Sequence, residues 1–96
     1  MSLVFEWDPR KARTNQRSHN VTFAEAVSVF ADPLARIFVD EDHSIDESRE
    51  IIIGHSLDKR LLLVCFTESE TDLIRIISAR RATTGERYDY EEHLTS

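Results

Sequence analysis

Leu61-Leu-Leu-Val-Cys-Phe66 is apolar at every position, and its reading decides the fold. A strand turns successive side chains to opposite faces, so an unbroken apolar run suits a strand covered above and below, in the middle of a sheet. Upstream of it, Asp58-Lys59 sits where a hairpin turn belongs, and Arg49 to Ser56 reads as the strand before that turn. Downstream, Ser69-Glu70-Thr71 offers a second turn and Asp72 to Ala79 the next strand. Ala35 to Asp40 adds one more strand candidate, and the four pair antiparallel as a meander.

Helices flank this sheet. Thr22-Phe-Ala-Glu25 is a capping box, with Val21 and Ala26 as the hydrophobic staple in front of it. Phe23, Ala26, Val27 and Phe30 then recur at i, i+3, i+4, i+7, a core-facing stripe that predicts a helix covering one sheet face, ended by Asp32-Pro33. Residues 3 to 7 alternate as a short first strand. Asp8 offers an N-cap and Pro9 the first position of a helix running to Ser18. Past the proline its only nonpolar member is Ala12, so this helix should lie toward solvent or a partner, with Lys11, Asn15 and His19 along one face. Thr83-Thr-Gly-Glu86 is a second capping box and opens a terminal helix carrying Glu86, Arg87 and Tyr90. The expected fold is α+β: a compact single domain over residues 1–96, with an N-terminal strand and two helices, an antiparallel meander and a C-terminal helix.

With 96 residues, 41% of them hydrophobic, the chain suits one modest core and excludes multi-domain machinery. The lone cysteine, Cys65, cannot form an internal disulfide; it reads as a buried, inert thiol and fits a reducing cytoplasm. The N-terminus has no basic start or long apolar region, and no stretch approaches membrane-spanning length. A soluble cytoplasmic protein without membrane association is therefore expected. Its formal net charge of -6 is unevenly spread. Acids crowd Asp40 to Glu50, whereas Arg10, Lys11, Arg13, Arg17 and His19 stand in a stretch with no acid, a basic pole able to attract nucleic acid.

Arg75-Ile-Ile-Ser-Ala-Arg-Arg-Ala82 drives three arginines through the last strand onto the mouth of the terminal helix. An arginine in an apolar strand costs desolvation unless it meets a carboxylate or a phosphate. Arg75 and Arg49 fall on neighbouring or near-neighbouring strands, and as structural ion pairs they would have Glu25, Glu47 and Glu50 to choose from. Arg80 and Arg81, beside the helix start at Thr83, make a candidate anion receptor. Arg36 and Arg60 read as surface charges only.

Phe5-x-Trp7-Asp8, Lys11, Asn15, His19-x-Val21-x-Phe23-x-Glu25-Ala26, Phe30-x-Asp32-Pro33, Asp40-x-x-His43-Ser44-x-x-Glu47-x-Arg49, Gly54-x-Ser56 and Arg75-Ile-Ile-Ser-Ala-Arg80 with Glu86 and Tyr90 together resemble the BrnT family of toxins. The resemblance implies a ribonuclease toxin of a type II toxin–antitoxin pair, with a RelE-like toxin fold, that cleaves RNA and inhibits translation. It also implies neutralisation by a cognate BrnA-like antitoxin bearing a ribbon-helix-helix domain, through which alone DNA is reached. Where the family has Lys-His-Gly, this chain has Ser18-His19-Asn20. Asn20 tolerates the left-handed conformation that ends a helix. Ser18 removes a cation beside the histidine.

Metal-free RNA cleavage needs a base for the ribose 2′-hydroxyl, cations for the phosphorane and an acid for the leaving oxygen. His19 is the acid or base candidate, as histidine titrates near neutrality. Lys11 and Arg80 are the favoured phosphate ligands, and Arg49 and Arg75 complete the catalytic set. Arg10, Arg17 and Arg81 are expected to bind RNA. No metal or other cofactor is expected: Asp40, His43 and Glu47 read as a solvated acidic loop without the spacing of a metal site. His55 and His93 are weak candidates, Tyr90 reads as a helix residue packed on the sheet and Trp7 as core. The chain's two glycines make no phosphate loop. The rival reading is a non-catalytic interaction module whose cations hold an acidic antitoxin segment, the pair acting in transcriptional autoregulation.

Overall fold

The computed structural model describes residues 3–41 and 48–95. In chain order they form β1 (Val4–Glu6), α1 (Pro9–His19), α2 (Phe23–Ser28) tightening into a 3-10 turn at Val29–Ala31, β2 (Arg36–Val39), β3 (Arg49–His55), β4 (Leu61–Glu70), β5 (Leu73–Arg81) and α3 (Thr84–Thr95). The sheet order is β1-β5-β4-β3-β2, with β4 in the centre as its apolar run predicts. β2 to β5 form the expected antiparallel meander, and β1 adds in parallel beside β5, so the sheet is mixed. The first hairpin turns at Asp58-Lys59, with Lys59 at φ 63°. The second turns later than expected, at Thr71-Asp72, because β4 continues to Glu70 before Asp72 takes the left-handed conformation.

Alternation along β4 builds two cores. Leu62, Val64 and Phe66 join Ile52, Ile74, Ile76 and Ala79 beneath Val21, Phe23, Ala26 and Val29 of the α2 layer. Phe30 lies edge-on between Phe5 and Phe66, with ring centroids 5.0 and 5.1 Å away, and Trp7 packs edge-on to Phe23, a core role as expected. Val29, outside the predicted stripe, is fully buried because the helix tightens after Ser28 and turns it inward. Leu61 and Leu63 point to the opposite face, where they meet Ile53 and Tyr90. Tyr90 is thus a packing residue, its hydroxyl donating to Leu34 O at 3.3 Å. α3 covers only part of that face.

Local signals set the helix starts. Thr22 Oγ1 accepts from Glu25 N–H at 3.0 Å, Val21 and Ala26 are both fully buried, and Asp8 caps Arg10 N–H at 2.8 Å. Asn20 ends α1 at φ 56°, the conformation its side chain tolerates. Gly54 is required by close approach: a Cβ there would lie 2.8 Å from Ala35 Cβ and 3.0 Å from Asp32 Oδ2. That approach lets Asp32 accept from His55 N–H at 2.7 Å and Leu34 N–H at 2.9 Å. Burial pushes the Asp32 carboxyl up, but these amides bring it net below its ordinary value.

Arg60 departs from its reading as a surface charge. Its Nε donates to Glu25 Oε2 at 2.8 Å, its Nη2 pairs with Glu25 Oε1 and donates to Asn20 O at 3.1 Å. Ser56 Oγ also donates to Glu25, at 2.7 Å. The Arg60 bond holds the Glu25 carboxyl below its ordinary range against the opposing effect of burial. One guanidinium therefore fastens the β3–β4 turn to α2 and to the end of α1, and Glu25, expected as a partner for Arg75 or Arg49, is held by Arg60.

α1 has no apolar stripe, and a single amide anchors it. Asn15 is buried; its Nδ2 donates to Ala79 O at 2.8 Å and Val21 O at 3.0 Å, and its Oδ1 accepts from Ala79 N–H at 3.0 Å. β1 pairs with β5 only at residues 73–75. Farther along that edge Asn15 takes the place of a strand, occupying both backbone groups that Ala79 turns outward.

Candidate active site

The sheet register aligns the arginines. Glu6 lies opposite Arg75, Arg75 opposite Thr67, and Thr67 opposite Arg49, a row crossing β1, β5, β4 and β3. Thr67 shares its face with Leu63 and Cys65, so the row lies on the face away from α2. Arg80 joins it through a bulge. In a regular strand positions 75 and 80 would point to opposite faces, but β4 pairs Cys65 with Ser78 and Phe66 with Ile76, which leaves Ile77 as an extra residue. The extra residue resets the alternation and returns Arg80 to the face of Arg75.

On this open face a cleft of about 360 Å³ is lined by Asp40, Arg49, Ile51, Leu63, Cys65, Ser78 and Arg80. Arg49 and Arg80 are brought together there. Cys65 is half-buried and lines the cleft, which corrects its reading as a buried thiol. Arg75 stands in the neighbouring row, where its Nη1 donates to Glu6 Oε2 at 2.8 Å; both side chains are well exposed, so the pair is weak. Its partner is Glu6, an acid outside the expected set, on a strand that becomes a neighbour only through the parallel pairing.

Arg80 is held from two sides. Its Nη1 and Nη2 donate to the two oxygens of Glu86, each at 2.8 Å, and Nη1 also donates to Arg81 O at 3.2 Å. Glu86 is in turn the last member of the second capping box: its Oε1 accepts from Thr83 N–H at 2.8 Å, and its own N–H donates to Thr83 Oγ1 at 3.1 Å. The Arg80 bonds, outweighing burial and helped by Thr83, lower the Glu86 carboxyl to about 2. Among the described residues this leaves Arg80 with Nε–H and one Nη2–H unused, a second parallel pair suited to an oxyanion.

The remaining candidates divide by helix face. Lys11 and His19 line one groove of α1, about 260 Å³, together with Arg10, Thr14, Asn15 and Ser18. Arg17 lies in a different groove with Arg13, Gln16 and Asn20, apart from that of Ser18 and His19. Arg81 alternates to the face opposite Arg80, close enough to Glu25 for its charge to act on that carboxyl. The Lys11–His19 groove is tied to the strand of Ser78 and Arg80 through Asn15 and Ala79. His43 and Glu47 lie outside the described residues, so the Asp40–His43–Glu47 trio is not described. Sequence reasoning had Glu86 as a cap and missed it as the holder of Arg80. A carboxylate at the third position of a helix just downstream of an arginine-bearing strand is the signal that could have found it.

A family model described as the ribonuclease toxin BrnT of type II toxin–antitoxin systems matches residues 7–86. The fold is similar to the crystal structure of the Brucella abortus ribonuclease toxin BrnT, with a TM-score of 0.64 at 24% identity over 88% of this chain and 99% of that one. No curated protein sequence matches. The family match runs from Trp7 to Glu86, across both grooves of α1, the arginine row and the capping box that holds Arg80; the chain belongs to the BrnT family of ribonuclease toxins of type II toxin–antitoxin systems.

Proposed function

We propose that this toxin is a metal-independent endoribonuclease, acting in the cytoplasm to stop translation. The observation that carries the reading is the convergence of Arg49 and Arg80 on one cleft in a chain of net charge -6. In the reaction the ribose 2′-oxygen attacks the adjacent phosphorus, its proton passes to a base, and the 5′-oxygen leaves with a proton from an acid. His19 serves one of the two proton transfers. The unused N–H pair of Arg80, with Lys11 and Arg49, bears the charge of the phosphorane. Arg75 holds the neighbouring phosphate, and Arg10, Arg17 and Arg81 hold flanking RNA. A type II toxin has an antitoxin partner; here we expect a BrnA-like protein whose ribbon-helix-helix domain brings the pair to DNA.

Purified protein should cleave RNA in the presence of EDTA and leave a 2′,3′-cyclic phosphate or its hydrolysis product. Activity lost on chelation and restored by a divalent ion would overturn the metal-free mechanism. One observation favours the interaction-module reading: Arg80 already grips a carboxylate, as it would grip one of an antitoxin. Protein that stays folded, binds its antitoxin and neither cleaves RNA nor arrests growth would establish that alternative.

A further inference from the structure

The two edges of the sheet are treated differently. At one, β1 covers residues 73–75 of β5 and Asn15 covers Ala79. At the other, β2 pairs only with β3 among the described residues. Asp40 N–H donates to Arg49 O at 2.8 Å, so Asp40, Phe38 and Arg36 turn their backbone groups toward β3, while Ile37 and Val39 turn theirs outward. The side chains are bare as well: Ile37 and Val39 are 55% and 57% exposed on the α2 face, and Phe38 is 47% exposed on the α3 face. Arg36–Val39 is short and carries one charge, but no proline, lysine or bulge interrupts it, three of the devices that protect an edge from pairing.

We propose that this edge pairs with a second copy of the chain, β2 against β2, antiparallel about a two-fold axis at Phe38. The register follows from the outward groups, which must meet outward groups. Three alignments do this: Ile37 opposite Ile37, Ile37 opposite Val39, or Val39 opposite Val39. The first sets Arg36 against Phe38, and the last sets Asp40 against Phe38. Only the middle one matches like with like. It places Phe38 against Phe38 in the close, non-hydrogen-bonded position, Ile37 against Val39, and Arg36 against Asp40 of the second copy at both ends, with Glu41 alongside. Asp40 is already engaged within its own chain, but a carboxylate accepts several hydrogen bonds, so the contact from Arg36 is an addition. An edge that is self-complementary in charge, ring and backbone fits the isologous contact a two-fold dimer needs. The two sheets become one continuous sheet. Residues directly opposite share a face, so both arginine clefts open on the same side of the dimer.

Sedimentation equilibrium of the free protein should show a monomer–dimer transition, and the amides of Ile37 and Val39 should gain exchange protection as concentration rises while that of Ile52 does not change. Arg36→Glu sets like charges at both ends and should weaken the dimer roughly tenfold or more. Arg36→Glu with Asp40→Lys reverses both pairs and should restore it. Melting curves on each variant separate lost pairing from lost folding. Monomer at all concentrations, a dimer indifferent to Arg36→Glu, or no recovery in the double variant of a folded protein overturns the proposal. So does protection of Ile37 and Val39 only in the complex with the antitoxin. RNA cleavage is assayed separately, and its absence leaves the dimer result standing.

Discussion

At the scale of the residue, Arg80 gives one side of its guanidinium to Glu86 and keeps the other toward the cleft. A lysine cannot span both Glu86 oxygens and a phosphate at once. Arg80→Lys should therefore lose RNA cleavage by about tenfold or more while folding normally; wild-type rates in that variant would remove Arg80 from the site. Glu86→Gln keeps an acceptor for the Thr83 amide and discards the charge, so the helix cap should survive while cleavage falls. Arg60 is the opposite case, a cation whose work is mechanical. It stands on a mostly buried Glu25 and is itself partly exposed, so Arg60→Ala should cost about 1–3 kcal/mol, less than the full penalty of breaking a deeply buried pair. Denaturant titration measures this, and a shift within about 0.5 kcal/mol would mean that the pair is idle.

At the scale of the element, the polar helix α1 depends on Asn15. Asn15→Ala leaves the Ala79 N–H and two carbonyls without their partner and should cost about 2–4 kcal/mol. Asn15→Asp should cost more, since it turns a carboxylate oxygen toward carbonyls that need a donor. Amide exchange should accelerate along α1 in both variants; unchanged exchange would show that something else holds the helix. The elements themselves were legible because their signals are local: capping boxes, a staple, an apolar run and turn residues each act within a few positions. What was not legible is long-range. Nothing near Asn15 names Ala79, nothing near Glu6 names Arg75, and Arg60 looks like a loop cation until α2 brings Glu25 over it. The candidate site was half visible for the same reason. The arginines stand out by composition, whereas the bulge at Ile77 that sets Arg75 and Arg80 on one face depends on pairing with β4.

At the scale of the whole molecule, three carboxyls report on acid stability. Glu86, Glu25 and Asp32 all have folded values below their ordinary ones, Glu86 at about 2. A depressed carboxyl contributes stability that is complete above the unfolded value, about 4, and is lost as pH falls through the folded value. The melting temperature should thus hold from neutral pH down to about 5 and then fall toward pH 2. Glu86→Gln should flatten part of that decline, and an equally steep decline in the variant would dissociate Glu86 from it. The join between Asn15 and Ala79 has one more consequence, which concerns time. The partners are 64 residues apart, and β1 likewise waits for β5. A chain leaving the ribosome N-terminus first carries Lys11 and His19 into solution long before there is a strand to set them against. In this order the basic helix comes early and the strand that holds it comes late, so a chain stopped short of β5 should leave Lys11 and His19 without their fixed setting.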